Sequence, residues 1–460
     1  MPGAKLAAMQ DASLFPGIDM EVAVAQGQYD EAEPPRLRRP DRTQVVLRPC
    51  SLEELLASEH QFRTLWAVVL RLDLSGFYKP LCCRGSSPGR PATDPQLLVA
   101  LWLGASTRGV SSARELERLC LQHDAFKWLC GGVSINYHTL SDFRVDHGKA
   151  LDELFTDVLA MLIAEDLVSV ERITQDGLRV RANAGLSSFK KDEKLAAALD
   201  AAKAQVQALN AQAETETNKP DDQKRSARKQ AAQERAARER QERIERAMKQ
   251  MPELEQIKKN RHGKQTGQPA RASITDDEAR NMRMPDGGFR PAYNVQLAAD
   301  TDSRAILAVQ VSNQGTDQPH SEPVRQEVEQ RTGEVVREHL MDGGFVKLET
   351  IEQAEASGVK IFAPPKKTEA RPDPYTPVPG DSEEIIQWRQ RMKTDEAKHI
   401  YKERASTSET INADLRCYRG LSPFLVRGLD KVLCVALWSA LAYNLMHFGA
   451  KLLECAAARV

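Results

Sequence analysis

The sequence has no C-x-x-C pair. Its eight cysteines stand at 50, 82, 83, 120, 130, 417, 434 and 455, with no histidine pattern to match. That spacing argues against a structural zinc site and implies a reduced, intracellular protein. The amino terminus lacks a basic segment followed by an apolar run, so no secretory signal is expected. Net charge is also nearly missing, at −1, which excludes a uniformly basic polyanion binder but not local patches. The acidic start (Asp11, Asp19, Glu21, Asp30, Glu31, Glu33) offsets basic segments at Arg36 to Arg48 and Lys224 to Arg261, and local sign decides nucleic-acid binding. Val432 to Ala450 carries no Lys, Arg, Asp or Glu and is long enough to span a bilayer. Ser439, Tyr443, His447 and Lys451 recur in it every four residues, however, and put a polar stripe on one face. A packed helix of a soluble core is the expected outcome.

What is present is a 460-residue chain with 41% apolar residues, enough for two to four structural units. Residues 1–40 are polar and acidic without periodicity and read as a disordered lead-in. Residues 41–165 read as an all-helical domain. Ser51-Leu52-Glu53-Glu54 has the form of a capping box, Asp94 precedes the apolar run Pro95 to Leu103, and a serine precedes Ala113 to Leu119. Its cationic candidates for DNA are Arg90, Arg108, Arg114, Arg118, Lys127 and Arg144. Taken singly, each reads first as a solvated helix face, while the domain as a whole reads as DNA-binding.

Strand periodicity follows at Val168 to Asp176, Tyr293 to Leu297, Ala305 to Val311, Glu338 to Met341 and Val359 to Ala363. Helical stretches intervene at 319–331 and 347–357, and a long one fills 382–455. The pattern predicts an α/β domain over 166–455 with a mixed sheet and flanking helices. Residues 190–262 interrupt it. Leu195, Leu199, Ala202, Val206 and Leu209 form a heptad seam there, and Ala237, Ile244, Met248 and Met251 line a second arm beyond a turn at Asn218 to Asp222. An antiparallel helical hairpin is predicted, its Arg and Lys either tracking DNA phosphates or merely solvating a coiled coil.

Two Asp-Gly steps, Gln175-Asp176-Gly177-Leu178-Arg179 and Met341-Asp342-Gly343-Gly344-Phe345, sit at predicted strand ends, and Tyr401-x-x-Arg404-x-x-x-x-Glu409 lies on a helical stretch. Asp-Gly is also a common turn dipeptide, so either Asp alone reads first as a turn. Together the three acids form a set suited to two hard divalent ions, which sit roughly 3.5 to 4 Å apart in phosphoryl-transfer sites. Three carboxylates within about 4 Å would repel by roughly 4 kcal/mol per pair at an effective dielectric near 20, so such a cluster calls for a cation. At about 100 degrees per residue, Arg416 shares the face of Glu409, Tyr401 lies roughly 80 degrees from it, and Arg404 flanks it at about 140 degrees. Glu403, the alternative acid, points about 140 degrees from Arg416. The chemistry implied is the cutting and rejoining of DNA.

The chain resembles the DDE transposases of bacterial insertion sequences, in the group with a Tyr-x-x-Arg, Glu, Lys/Arg signature. The blocks that carry the resemblance run in order from Gly89 to Pro95 and Ser112 to Arg118, through Gln175 to Asn183 and Asp286 to Gln296, to Phe424 to Val432 and Ala442 to Leu445. Ser408 to Ala413 lacks the Phe-Gly pair of relatives, and Arg416 stands where Lys is common. The resemblance implies a ribonuclease-H-like catalytic domain with Asp176, Asp342 and Glu409 as metal ligands for two Mg2+ or Mn2+ ions. It implies DNA contacts from Tyr401, Arg404 and Arg416, with Arg114 and Arg118 in the amino-terminal DNA-binding domain. The partners implied are double-stranded DNA, as terminal inverted repeats and target, and a second copy of the chain on that DNA. The place implied is the bacterial cytoplasm at the nucleoid, with no membrane. A catalytically inactive DNA-binding relative or regulator is the alternative; a purely structural coiled coil would leave the acids unexplained.

Overall fold

A computed structural model describes residues 51–84, 90–215, 223–262, 269–369, 372–421 and 423–458. The acidic lead-in, the basic segment Arg36 to Arg48, Gly89 and the turn at Asn218 to Asp222 lie outside the described residues.

Seven helices are described between Gln61 and Ala164: α1 (Gln61–Val69), α2 (Ser75–Tyr78), α3 (Pro95–Thr107), α4 (Ala113–Gln122), α5 (Asp124–Cys130), α6 (Tyr137–Asp146) and α7 (Gly148–Ala164). Their starts follow the sequence signals. Ser51 and Glu54 exchange backbone and side-chain bonds at 3.0 and 3.3 Å around a short 3-10 turn. Asp94 accepts from Gln96 N at 2.9 Å ahead of Pro95, and Ser112 accepts from Glu115 N at 3.4 Å, so orphan N–H groups of the first turns are satisfied. α3 is buried from Leu97 through Ser106, which is why its sequence is apolar all round.

The sheet is mixed and six-stranded. Its strands are β1 (Arg172–Arg181), β4 (Arg280–Arg283), β5 (Phe289–Asp300), β6 (Ile306–Ser312), β7 (Glu338–Leu340) and β8 (Lys360–Phe362), in the order β4-β5-β1-β7-β8, with β6 also on β5. β5 runs antiparallel to β1, β4 and β6, while β7 is parallel to β1 and β8 parallel to β7. Helices α10 (Ser321–Thr332) and α11 (Leu348–Ala356) make the connections. The predicted long helix of 382–455 is three: α12 (Glu383–Lys393), α13 (Asp395–Tyr418) and α14 (Leu429–Ala458).

α14 is the helix apolar enough to cross a membrane, yet most of its apolar window is buried inside the protein. Its expected polar stripe surfaces only at the far end: Ser439 and Tyr443 are buried, whereas His447 and Lys451 are exposed. Asn444, fully buried, accepts from Ile306 N at 2.9 Å and donates to Ile306 O at 2.8 Å. This pins α14 to the edge of β6 with both polar groups of Ile306 satisfied. Buried residues of the helical segment, the sheet and α14 form one continuous core.

Between β1 and β4 a two-stranded pair, β2 (Phe189–Lys190) with β3 (Ala272–Ser273), closes the base of a helical hairpin, α8 (Asp192–Thr215) and α9 (Gln223–His262). Leu195, Ala202, Ile244, Ala247 and Met251 are buried along its seam, as the heptad spacing requires.

Candidate functional site

β1 does not end at Asp176. It runs through the Asp-Gly step, with Asp176 opposite Leu297 and Gly177 opposite Gln296 on β5. The strand-end and turn readings of this step are both corrected. Gly177 is there for room rather than for its backbone conformation, since a Cβ at this position would lie 2.4 Å from Asp317 Oδ1, 2.7 Å from Gln296 Nε2 and 3.0 Å from Asn294 Oδ1. Asp317 in turn accepts from Asn294 at 2.7 Å and Gln296 at 2.8 Å, with Arg179 at 3.5 Å.

The parallel register of β1 and β7 pairs Thr174 with Leu340. Continued two residues, it sets Asp342 beside Asp176 on the same face, because side chains alternate with period two. Asp342 lies just past β7, where its Oδ1 accepts from Gly344 N at 2.6 Å and fixes the turn.

α13 lies along the other side of these carboxylates. Glu403 pairs with Arg172 at 2.8 Å, Ser408 bonds Thr174 at 2.8 Å, Asn412 donates to Asp176 Oδ2 at 2.9 Å, and Arg416 donates to Arg179 O at 3.4 Å. The matching follows from elementary rises: about four helical residues cover 6 Å and about two strand residues cover 6.6 Å. Glu403, the alternative acid, is thereby engaged at the start of β1.

Arg404 does not flank this line but faces the acids. Its Nη2 is 3.4 Å from Asp176 Oδ1 and 3.7 Å from Asp342 Oδ2. The side chains of Arg404 and Asp176 are 12% and 19% exposed and that of Asp342 is 41% exposed, so the pair opens to solvent on the Asp342 side. Burial pushes the Asp176 carboxyl up to about 6, opposed by Arg404 and the Gly177 N–H and reinforced by Asp342 and Asp317. Burial also raises the Tyr401 phenol; Arg404 counters this and the two aspartates add to it, so the phenol lies within electrostatic range of all three.

Glu409 is exposed, and its side chain makes no hydrogen bond or ion pair with a described residue. It follows Ser408 and lies about 60 degrees around the helix from Asn412. The structure therefore brings Asp176, Asp342, Arg404 and Tyr401 together and leaves Glu409 beside them. Among the described residues no group of three His, Cys, Asp or Glu is arranged to hold a metal ion. The donors present do fit a hard divalent cation: two carboxylates converge on one positive group, a guanidinium standing where a cation is wanted.

Asn412 and Asp317 are contacts that sequence reasoning missed. Asn412 sits four and eight residues after Ser408 and Arg404, a helical spacing that could have revealed it. Nothing local to Asp317 signals its position.

In the helical domain, Arg114 and Arg118 are exposed one turn apart on α4, Arg114 over the Tyr137 ring at 4.9 Å and Arg118 paired with Glu115. Arg144 is corrected from a surface candidate: it is 6% exposed, stacks on Trp102 at 4.7 Å and donates to Ser111 O.

Two segments match known families. Residues 50–146 match a Transposase domain (DUF772), and residues 378–448 match a Transposase DDE domain. The first contains Arg114 and Arg118 and the second contains Tyr401, Arg404, Glu409 and Arg416, whereas Asp176 and Asp342 lie outside both. No curated protein matches the chain, and no solved structure matches it. The two matches support a DDE-type insertion-sequence transposase.

Proposed function

We propose that this chain binds the terminal inverted repeats of its element and catalyses divalent-metal-dependent DNA cleavage and strand transfer. The observation that carries the reading is the convergence of Asp176 on β1 and Asp342 just past the parallel strand β7 on one cation, Arg404. Such a pair has little reason to form unless positive charge is to be held there. The mixed sheet with α13 across it is consistent with a ribonuclease-H-like catalytic domain over 166–455, with 41–165 as the DNA-binding domain.

Asp176 and Asp342 would hold Mg2+ or Mn2+, with Glu409 as third ligand. The bound ions supply activation of the attacking oxygen and neutralisation of the leaving one. Asn412 and the Gly177 N–H orient the Asp176 carboxylate for that task. Tyr401, Arg404 and Arg416 line the approach of a phosphate, and Arg114 and Arg118 present cations on the helical domain; Arg suits phosphate because it donates bidentately. The chain would act as a dimer or larger assembly on DNA, in the cytoplasm.

The isolation of Glu409 favours a second reading, a DNA-binding relative that no longer cuts. A nicking assay on duplexes carrying the element ends separates the two. Asp176→Asn, Asp342→Asn and Glu409→Gln are each expected to abolish Mg2+-dependent nicking while DNA binding persists. Wild-type rates in one variant would remove that residue from the site, and binding without nicking by the unaltered chain would favour the inactive relative.

A further inference from the structure

Arg404 has features that a phosphate contact alone leaves unexplained. Its two carboxylate contacts, at 3.4 and 3.7 Å, are both made by the single atom Nη2, so the two-pronged geometry of a strong Arg–carboxylate pair is not formed. Its Nε is buried without an acceptor. Such a donor is costly to leave unpaired, so the guanidinium is held here by charge more than by fit.

The other groups on Asp176 are neutral. Asn412 donates to one oxygen and the Gly177 N–H to the other, each at 2.9 Å. They orient the carboxylate without cancelling its charge. Other cations at α13 are spent elsewhere: Arg172 on Glu403 and Glu338, Lys398 on Asp395, and Arg419 on Asp414. Arg416 bonds a backbone carbonyl. Arg404 alone among these touches both aspartates.

We propose that Arg404 is a resident counter-ion of the Asp176–Asp342 pair, which a divalent ion must displace to bind. Guanidinium and metal compete for the same two oxygens, and the open side at Asp342 is the way out for the displaced side chain. The inference rests on the reading that Asp176 and Asp342 hold metal.

The test is Mn2+ binding by calorimetry and electron paramagnetic resonance on the full chain without DNA, at pH 8. Arg404→Gln should tighten Mn2+ binding about tenfold, the equivalent of 1.4 kcal/mol. Arg404→Lys, which keeps a charge, should change it less. Arg416→Gln, which also removes a positive charge nearby, should stay within about twofold of wild type, so that a general field effect is distinguished from direct competition. Unchanged or weaker binding in an Arg404→Gln protein with a wild-type circular dichroism spectrum overturns the inference. Equal tightening in Arg416→Gln does the same. Undiminished Mn2+ uptake by Asp176→Asn/Asp342→Asn instead overturns the reading on which the inference rests.

Discussion

Substituting Gly177 by Ala tests the site's most constrained contact. The added methyl would sit 2.4 Å from Asp317 Oδ1 and 2.7 Å from Gln296 Nε2, well inside van der Waals contact. Asp317 has a short side chain, and its Oδ1 accepts from both Asn294 and Gln296. If it swings away, two buried amide donors lose their acceptor, at about 1 to 3 kcal/mol each. If it stays, β1 must shift, at a cost typical of overpacking, about 1 to 3 kcal/mol. The cheaper route sets the outcome, so the expected loss is about 1 to 3 kcal/mol in unfolding free energy by chemical denaturation. In a chain of this length that is only a few degrees in Tm, so denaturant is the better probe.

The reasoning is refuted by either of two results. One is a Gly177→Ala protein within about 0.5 kcal/mol of wild type, the scatter of an ordinary surface change. The other is a double-mutant cycle with Asp317→Ala that comes out additive. The clash requires the Ala to cost about 2 kcal/mol less once Asp317 is gone.

Two other outcomes follow from the fold. His339 is 1% exposed on β7, and burial, with Arg325 nearby, lowers its imidazole to about 3 from 6.5. The folded state thus binds fewer protons than the unfolded chain. The stability involved is fully present above pH 6.5 and is lost at about 1.4 kcal/mol per pH unit as pH falls toward 3. His339→Phe should flatten that part of the curve, and an identical pH slope in variant and wild type would refute it. Asn444→Leu should cost roughly 2 to 5 kcal/mol in denaturant unfolding by stranding Ile306 N–H and C=O, whereas a loss below about 1 kcal/mol would mean that β6 is held elsewhere.

What the sequence made legible was local or periodic. The caps at Ser51, Asp94 and Ser112 and the seam from Leu195 to Met251 depend on spacings of a few residues, and each is found as the spacing requires. The five strand candidates are legible from alternation or apolar runs, whereas the charged four-residue β4 and the two-residue β2 and β3 show neither. Gly177 was read as a turn residue because its real constraint, Asp317, lies 140 positions away in sequence. Arg144 was read as surface because its ring partner Trp102 sits on another helix. Charge type alone does not say which face of a helix will find an aromatic.

Glu409 shows where periodicity reaches its limit. Face arithmetic on α13 puts Glu409 within about 20 degrees of Arg416, but it cannot say which side chains the sheet engages. The selection is made by four contacts, from Glu403, Ser408, Asn412 and Arg416 to β1, and they give the central positions to Ser408 and Asn412. Glu409 is therefore one step off the line that Asp176 faces, near enough to join it only if its side chain reaches across or α13 turns. The same contacts carry Arg404 inward onto both aspartates. The structure thus sets a largely covered cation against Asp176 and Asp342 and leaves Glu409 without an ion pair among the described residues. If Asp176 and Asp342 hold metal as proposed, the exchange of Arg404 for the ion is a step that any activity at this site must include.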